Sequence, residues 1–81
     1  MKEKKSINSD IQKILSQILK LKIIEINDQT SIFNTTKWDS LTQIQIIIAL
    51  EKKFKIKFSQ TEIFQLNNFM DIKKVLNKKI N

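Results

Sequence analysis

The sequence of 81 residues contains no cysteine, no histidine and no glycine. Without cysteine there is no disulfide framework and no thiolate metal site. Without histidine, the usual general base and the commonest metal ligand are missing. Without glycine, neither a P-loop nor the glycine-rich turn of a dinucleotide-binding fold can form. An enzyme built from this chain would depend on carboxylates and lysines alone, so we expect no catalytic activity and no metal.

Arginine is also absent, so all 15 basic residues are lysines. The formal net charge of +7 raises the alternative of a small basic helical module that binds nucleic acid. Surfaces that read bases or clamp phosphates usually contain arginine, because its planar guanidinium binds bidentately. We therefore expect no nucleic-acid partner and keep the basic module as the rival hypothesis.

Length and apolar runs bound the organisation of the chain. We expect residues 1–81 to form one monomeric domain, with residues 1–6 as a flexible charged N-terminus. No apolar segment follows these charges, so they do not open a secretory signal. The longest unbroken apolar run, residues 46–50, is far too short to span a bilayer. We expect a cytoplasmic protein without a membrane partner.

Apolar residues recur at three- and four-residue steps along much of the chain, which predicts amphipathic helices. We expect main helices over residues 7–22, 40–53 and 70–79, and a short helix over residues 61–66. Residues 23–39 lose this period and predict an ordered loop with one short helical turn. The apolar residues expected to attach this loop to the core are Ile24, Ile26, Ile32 and Phe33. The predicted fold class is all-α, a four-helix bundle of three main helices and one short helix.

The second predicted helix carries more apolar residues than one buried face needs. At about 100° per residue, they fall into two sectors of the helical wheel. The sector that we assign to the core contains Ile46, Ile47, Leu50 and Phe54. The other sector, close to Ser40, contains Leu41, Ile44 and Ile48. Grouped exposed apolar residues mark a contact surface, whereas a central helix is buried on most sides, and the wheel leaves both alternatives open.

Ser40 stands where the predicted loop becomes the second helix. Capping the helix is one role for its hydroxyl, although Asp39 suits the N-cap position equally well. Nucleophilic catalysis is excluded because the chain offers no histidine as a base. Attachment of a phosphate is favourable, because the unpaired N–H groups and the dipole of a helix N-terminus stabilise an anion.

The whole pattern resembles the acyl carrier protein family. The family signature is Asp-Ser-Leu at the start of the second helix, followed by an apolar series that closes on Leu-Glu-x-x-Phe. The residues at these positions are Asp39, Ser40, Leu41, Leu50, Glu51 and Phe54. The resemblance covers residues 7–80 without a gap, which makes it much more specific than the tripeptide alone.

The resemblance implies a covalent 4′-phosphopantetheine on Ser40, transferred from coenzyme A by a phosphopantetheinyl transferase. Its thiol would carry an acyl or aminoacyl group as a thioester between the enzymes that load it and those that transfer it. The family pattern implies recognition by partners at Trp38, Asp39, Leu41, Ile44, Ile48 and Glu51. For Trp38, packing of the loop onto the core is the alternative.

Two features depart from the family pattern. Family members are usually acidic along the second helix, whereas this chain has Thr42, Gln45 and lysines there. Such rim charges govern encounter rate and partner choice more than intrinsic affinity. In addition, Trp38 before Asp39 resembles the stand-alone carriers of polyketide, nonribosomal peptide or surface-polysaccharide assembly. We therefore expect a specialised stand-alone carrier that does not serve the ordinary fatty-acid synthase enzymes by the usual electrostatics, and we leave fatty-acid, polyketide, nonribosomal peptide and surface-polysaccharide biosynthesis open as its pathway. A degenerate carrier that only binds other proteins remains an alternative.

The densest charge run comprises Lys52, Lys53, Lys55 and Lys57, at and beyond the end of the second predicted helix. The helix dipole favours cations at this end, so a solvated helix terminus is one interpretation. A basic docking surface for an acidic partner is the other interpretation.

Overall fold

The computed structural model describes the backbone of residues 2–80 and the side chains of residues 7–80. The elements in this range are α1 (Lys2–Leu19), a 3₁₀ turn (Ile23–Glu25), α2 (Ser40–Phe54), α3 (Gln60–Gln65) and α4 (Phe69–Ile80). They confirm the predicted all-α bundle of three main helices and one short helix. None of the helices described between residues 2 and 80 has the length and hydropathy needed to cross a membrane.

The helix boundaries agree with the predictions for α2, α3 and α4 to within one residue at each end. α1 differs, because it starts and ends earlier than the predicted segment 7–22. It ends before Lys20, whose φ of 57° is the left-handed conformation that terminates a helix. The backbone is helical from Lys2 onward, within the segment 1–6 that we expected to be a flexible terminus. Met1 and the side chains of residues 2–6 lie outside the described residues, so that flexibility stays a prediction.

The three long helices share one apolar core. α1 presents one face at four-residue steps, with Ile7, Ile11, Leu15 and Leu19 buried. The buried residues of the other two long helices are Ile46, Ile47, Leu50, Phe69, Ile72, Val75 and Leu76. Phe54 packs against this core while partly exposed, so the whole core sector predicted for α2 is confirmed. α3 buries no residue of its own, and the chain after it contributes Leu66.

The loop between α1 and α2 attaches to the core through two of its four predicted residues. Ile26 is buried and Ile32 packs against the core as predicted. The prediction was wrong for Ile24 and Phe33, which are 87% and 86% exposed. Ile24 lies in the middle of the 3₁₀ turn, which faces solvent, and Ile26 takes the buried position after it. Phe33 lies in a turn closed by the Phe33 N–H donating to Ser31 Oγ at 3.2 Å.

Backbone hydrogen bonds tie the same loop to the start of α4. The Ile32 N–H donates to the Asn67 carbonyl at 2.9 Å, and the Phe69 N–H donates to the Thr30 carbonyl at 3.0 Å. Thr30 is buried at this junction. The middle of the loop that leads into α2 is therefore held against the chain at the start of α4.

Candidate attachment site

The first turn of α2 is capped by Asp39. Asp39 has an extended backbone, and its carboxylate accepts a hydrogen bond from the Thr42 N–H at 3.0 Å. In return, the Asp39 N–H donates to Thr42 Oγ1 at 2.8 Å. This reciprocal pair satisfies two backbone donors at the helix start. Of the two capping residues that the sequence left open, the structure uses Asp39 and leaves Ser40 as the first residue of the helix.

The Asp39 carboxyl carries its charge at neutral pH. Its pKa is lowered from the ordinary value, chiefly because the Thr42 N–H donates to the ionised carboxylate. The negative charge lies at the positive pole of the α2 dipole, where it is favourable. Asp39 therefore fixes the helix start through both hydrogen bonding and charge.

The Ser40 side chain is exposed. Among the side-chain hydrogen bonds within residues 7–80, Ser40 Oγ takes part in none, whereas neighbouring Thr42 Oγ1 donates to the Lys37 carbonyl at 2.9 Å. The Ser40 hydroxyl therefore lies at a helix N-terminus and forms no side-chain hydrogen bond within residues 7–80 that would stabilise the fold. Within the described residues no three His, Cys, Asp or Glu side chains form a group able to hold a metal ion.

Trp38 packs inside the bundle directly before this site. Its side chain is only 2% exposed, and Nε1 donates to Gln43 Oε1 at 2.6 Å. Gln43 in turn donates from Nε2 to the Leu66 carbonyl at 2.8 Å, beyond the end of α3. The family pattern had placed Trp38 among the recognition residues, but the ring faces the core, as the packing alternative stated. The Trp38–Gln43–Leu66 chain of hydrogen bonds joins the loop, α2 and the residue that follows α3.

Sequence reasoning missed Gln43. The signal was present, because Gln43 falls in the core sector of the α2 wheel, where a polar residue requires a partner. Nothing in the sequence identified Trp38 Nε1 and the Leu66 carbonyl as those partners, because both come from other segments of the chain.

Three apolar side chains form an exposed stripe along α2 that begins beside Ser40. Leu41 is 65% exposed, Ile44 is 55% exposed and Ile48 is 49% exposed. We call these three residues the outward stripe. They are the residues of the second wheel sector, so the structure decides between the two alternatives in favour of a surface position.

Glu51 was expected beside this stripe as a recognition residue. Its backbone belongs to α2, but its side chain is half-buried and Oε2 accepts from the Phe58 N–H at 3.0 Å. The carboxylate therefore holds the loop that connects α2 to α3. Phe64 of α3, which the sequence did not single out, is 72% exposed and adds a further apolar side chain to the surface.

Comparison with known proteins identifies the family. The family described as a phosphopantetheine attachment site matches residues 9–76. An acyl carrier protein of Buchnera aphidicola subsp. Schizaphis graminum is 32% identical over 62 residues, which cover 76% of this chain and 78% of the relative. The chain belongs to the acyl carrier protein family.

Two further acyl carrier proteins show a likeness of similar extent. An acyl carrier protein of Chlamydia caviae is 28% identical over 67 residues, which cover 83% of this chain and 87% of the relative. One of Cyanophora paradoxa is 31% identical over 65 residues, which cover 80% of this chain and 63% of the relative. These alignments span most of the bundle rather than the signature alone.

Membership of this family confirms the predicted class of protein and its cofactor. The protein is a phosphopantetheine-bearing acyl carrier and not an enzyme. Its partners include a phosphopantetheinyl transferase and enzymes that handle the acyl group. This accounts for a chain without histidine or cysteine, because the carrier itself has no reaction to catalyse.

Proposed function

We propose that Ser40 bears the covalent 4′-phosphopantetheine of this carrier. The observation that supports Ser40 is its exposed hydroxyl at the first residue of α2, with the capping role already taken by Asp39. Ser59 provides the contrast, because it too stands at a helix start but its Oγ accepts from the Glu62 N–H at 3.2 Å. A hydroxyl already used as a cap is a poorer acceptor for a bulky group than one that faces solvent.

The N-terminus of α2 suits the linkage chemically. Attachment forms a bond between Ser40 Oγ and phosphorus while the phosphoanhydride bond of coenzyme A breaks; the hydroxyl proton and the nucleotide part leave. The resulting phosphodiester carries a negative charge beside the positive pole of a helix of 15 residues. When bound, the group supplies a thiol that holds the acyl or aminoacyl cargo as a thioester.

The outward stripe is the surface through which the carrier docks on its partners. Exposed apolar side chains grouped beside the attachment residue favour contact with a complementary apolar groove. Leu41, Ile44 and Ile48 are therefore our recognition residues, with Asp39 contacted by the transferase at the helix start. Trp38 and Glu51 act indirectly, because each holds a loop that adjoins α2.

The pathway is a specialised one rather than ordinary fatty-acid synthesis. The support is the formal net charge of +7, opposite to the acidic surface usual among carriers of this family. Partners built for an acidic carrier would meet like charge here, which slows encounter and disfavours binding. Polyketide, nonribosomal peptide and surface-polysaccharide assembly are the candidate pathways.

The experiment that tests the attachment site is intact-mass measurement. The wild-type protein is incubated with coenzyme A and a phosphopantetheinyl transferase, and we expect a mass gain of one phosphopantetheine. Ser40→Ala removes the hydroxyl and abolishes the gain. Ser59→Ala is the matched control, because it also removes a serine hydroxyl at a helix start and leaves the gain intact.

Two results would contradict this function. A mass gain that persists in Ser40→Ala would place the group on another residue. No gain in the wild-type protein with several transferases would favour a degenerate carrier that works only by binding other proteins. Intact mass of the protein taken from its native cell distinguishes that case, because such a protein lacks the group there as well.

A further inference from the structure

The carboxylates of this chain are largely engaged in holding the fold together. On and beside α2, Asp39 accepts from the Thr42 N–H and Glu51 accepts from the Phe58 N–H, each at 3.0 Å. Elsewhere the engaged acidic side chains are Glu25 on the Lys22 N–H, Glu62 on the Ser59 N–H and Lys79 Nζ, and Asp28 on Lys73 Nζ. Most of these carboxylates are exposed and keep their charge, so the surface is basic because 15 lysines outnumber 8 acidic residues.

The lysines near the end of α2 differ in what they contact. Lys53 Nζ lies 4.0 Å from Asp10 Oδ2 on α1, so its charge has a carboxylate nearby although its side chain is 53% exposed. Lys52 and Lys55 are exposed, and within residues 7–80 no carboxylate lies within 4.0 Å of either ammonium group. These two cations are thus available to a molecule that contacts α2.

Lys52 continues the outward stripe. It follows Ile48 by four residues, and it lies within about 40° of Leu41 and Ile48 on the helical wheel. Lys55 follows at the C-cap, with a left-handed backbone of φ 54° that ends the helix. Ser40 and Lys52 are twelve residues apart, which corresponds to about 18 Å along the helix axis. The exposed side of α2 therefore runs from the attachment residue, through apolar side chains, to two cations.

We propose that this side of α2 docks on a partner enzyme whose apolar groove ends in a cluster of carboxylates, and that Lys52 and Lys55 contact those carboxylates. The proposal rests on the proposed function, because it takes Ser40 as the residue that must reach the partner's active-site entrance. The apolar stripe fits the groove near that entrance, and the carboxylates lie at the far end. Complementary charge at one end orients the carrier and speeds encounter.

The order of apolar and basic residues favours a protein over a nucleic acid as the occupant. A phosphate backbone presents regularly repeated charge and offers nothing to the exposed side chains of Leu41, Ile44 and Ile48. An enzyme groove covers all three and leaves the two lysines at its rim. Binding to duplex DNA is one outcome that the experiment below is designed to reveal.

The test uses the phosphopantetheinylated protein and the enzyme that acylates it. That enzyme is purified from the source organism by following its ability to load the wild-type carrier. We expect Lys52→Glu with Lys55→Glu to lower kcat/KM for loading by about tenfold or more, mainly through KM, with the difference shrinking as salt screens the charges. Lys74→Glu with Lys78→Glu makes the same change of charge at exposed positions on α4 and leaves kcat/KM within about twofold of wild type.

The outcomes separate this proposal from the attachment site. If the wild-type protein takes up no phosphopantetheine, the attachment site itself fails. The docking proposal alone is overturned in two cases, both with a wild-type protein that is modified and loaded. In the first, Lys52→Glu with Lys55→Glu (the α2 pair) loads as fast as wild type. In the second, the α2 pair and Lys74→Glu with Lys78→Glu lose the same share of kcat/KM. Salt-sensitive DNA binding that the α2 pair loses, with loading unaffected, would likewise overturn it. If the glutamate pair lowers the helical circular dichroism, Lys52→Gln with Lys55→Gln replaces it, and a loss of about threefold or more is then expected.

Discussion

Isoleucine occurs on both the buried and the exposed side of α2. Ile46 and Ile47 are 0% and 9% exposed, whereas Ile44 and Ile48 are 55% and 49% exposed. All four isoleucines lie within five consecutive positions of one helix. Their different surroundings follow from their direction around the helix axis, since residue type and neighbourhood in sequence are shared. Hydrophobicity alone therefore does not separate core from contact surface in this chain.

The difference is also one of free energy. Burying Ile46 removes apolar surface from water at about 25 cal/mol per Å², and that gain is realised when the monomer folds. The exposed area of Ile44 and Ile48 gives no such gain in the monomer. It becomes available when another molecule covers the outward stripe, which is how a small carrier can keep binding energy for several partners in turn.

The largest loss of stability is expected from truncating an isoleucine on the buried side of α2. We expect Ile46→Ala to lower the free energy of unfolding by about 2 to 5 kcal/mol, because it removes buried methyl groups and leaves a cavity. Ile44→Ala is the matched control and should stay within about 0.5 kcal/mol of wild type. Urea denaturation followed by circular dichroism measures both values. Equal losses would mean that α2 is buried on both sides.

The family pattern assigns Trp38 to partner recognition, whereas the structure buries its side chain. We expect Trp38→Phe to lower the free energy of unfolding by about 1 to 3 kcal/mol, since Gln43 Oε1 loses its donor in a partly buried position. Urea denaturation gives this value, and intact-mass kinetics give the rate of phosphopantetheine attachment. A reduced attachment rate in a protein of wild-type stability would return Trp38 to recognition.

Much of the bundle was predictable from the sequence. The three- and four-residue steps of Ile11, Leu15, Ile72, Val75 and Leu76 predicted helices and their buried sides, and the structure confirms both. The division of α2 into two sectors followed from the same geometry. These features are local, because a helix fixes the directions of its side chains over a few residues.

What could not be predicted depends on contacts between distant segments. Ile24 and Phe33 were expected in the core because they are apolar, but the turns that contain them point them to solvent. Glu51 was assigned to recognition through the family pattern, yet its carboxylate accepts a hydrogen bond from the Phe58 N–H beyond the helix end. Gln43 has partners in the loop and beyond α3. In each case a neighbour from another element decides the outcome, and helical periodicity carries no information about it.

The smallest change in stability is expected at Ile48, on the exposed side of α2 that we propose for docking. A glutamate there faces water rather than the core, so Ile48→Glu should shift the free energy of unfolding by no more than about 0.5 kcal/mol and leave the helical circular dichroism nearly unchanged. Loading by a partner enzyme should fall nonetheless, because a charge would have to be buried in an apolar groove. Gln17→Glu adds the same charge at an exposed position of α1 and should load normally.

Stability and loading of Ile48→Glu test two separate statements: that Ile48 lies outside the core, and that it contacts a partner. A large loss of helicity would move Ile48 into the core and remove the distinction between the sides of α2. Unchanged loading by a stable variant would keep the distinction but exclude Ile48 from docking, leaving Leu41 and Ile44, nearer to Ser40, as the contact. Impaired loading at wild-type stability is the result that separates the two sides, because it shows a side chain that matters for partners and not for folding.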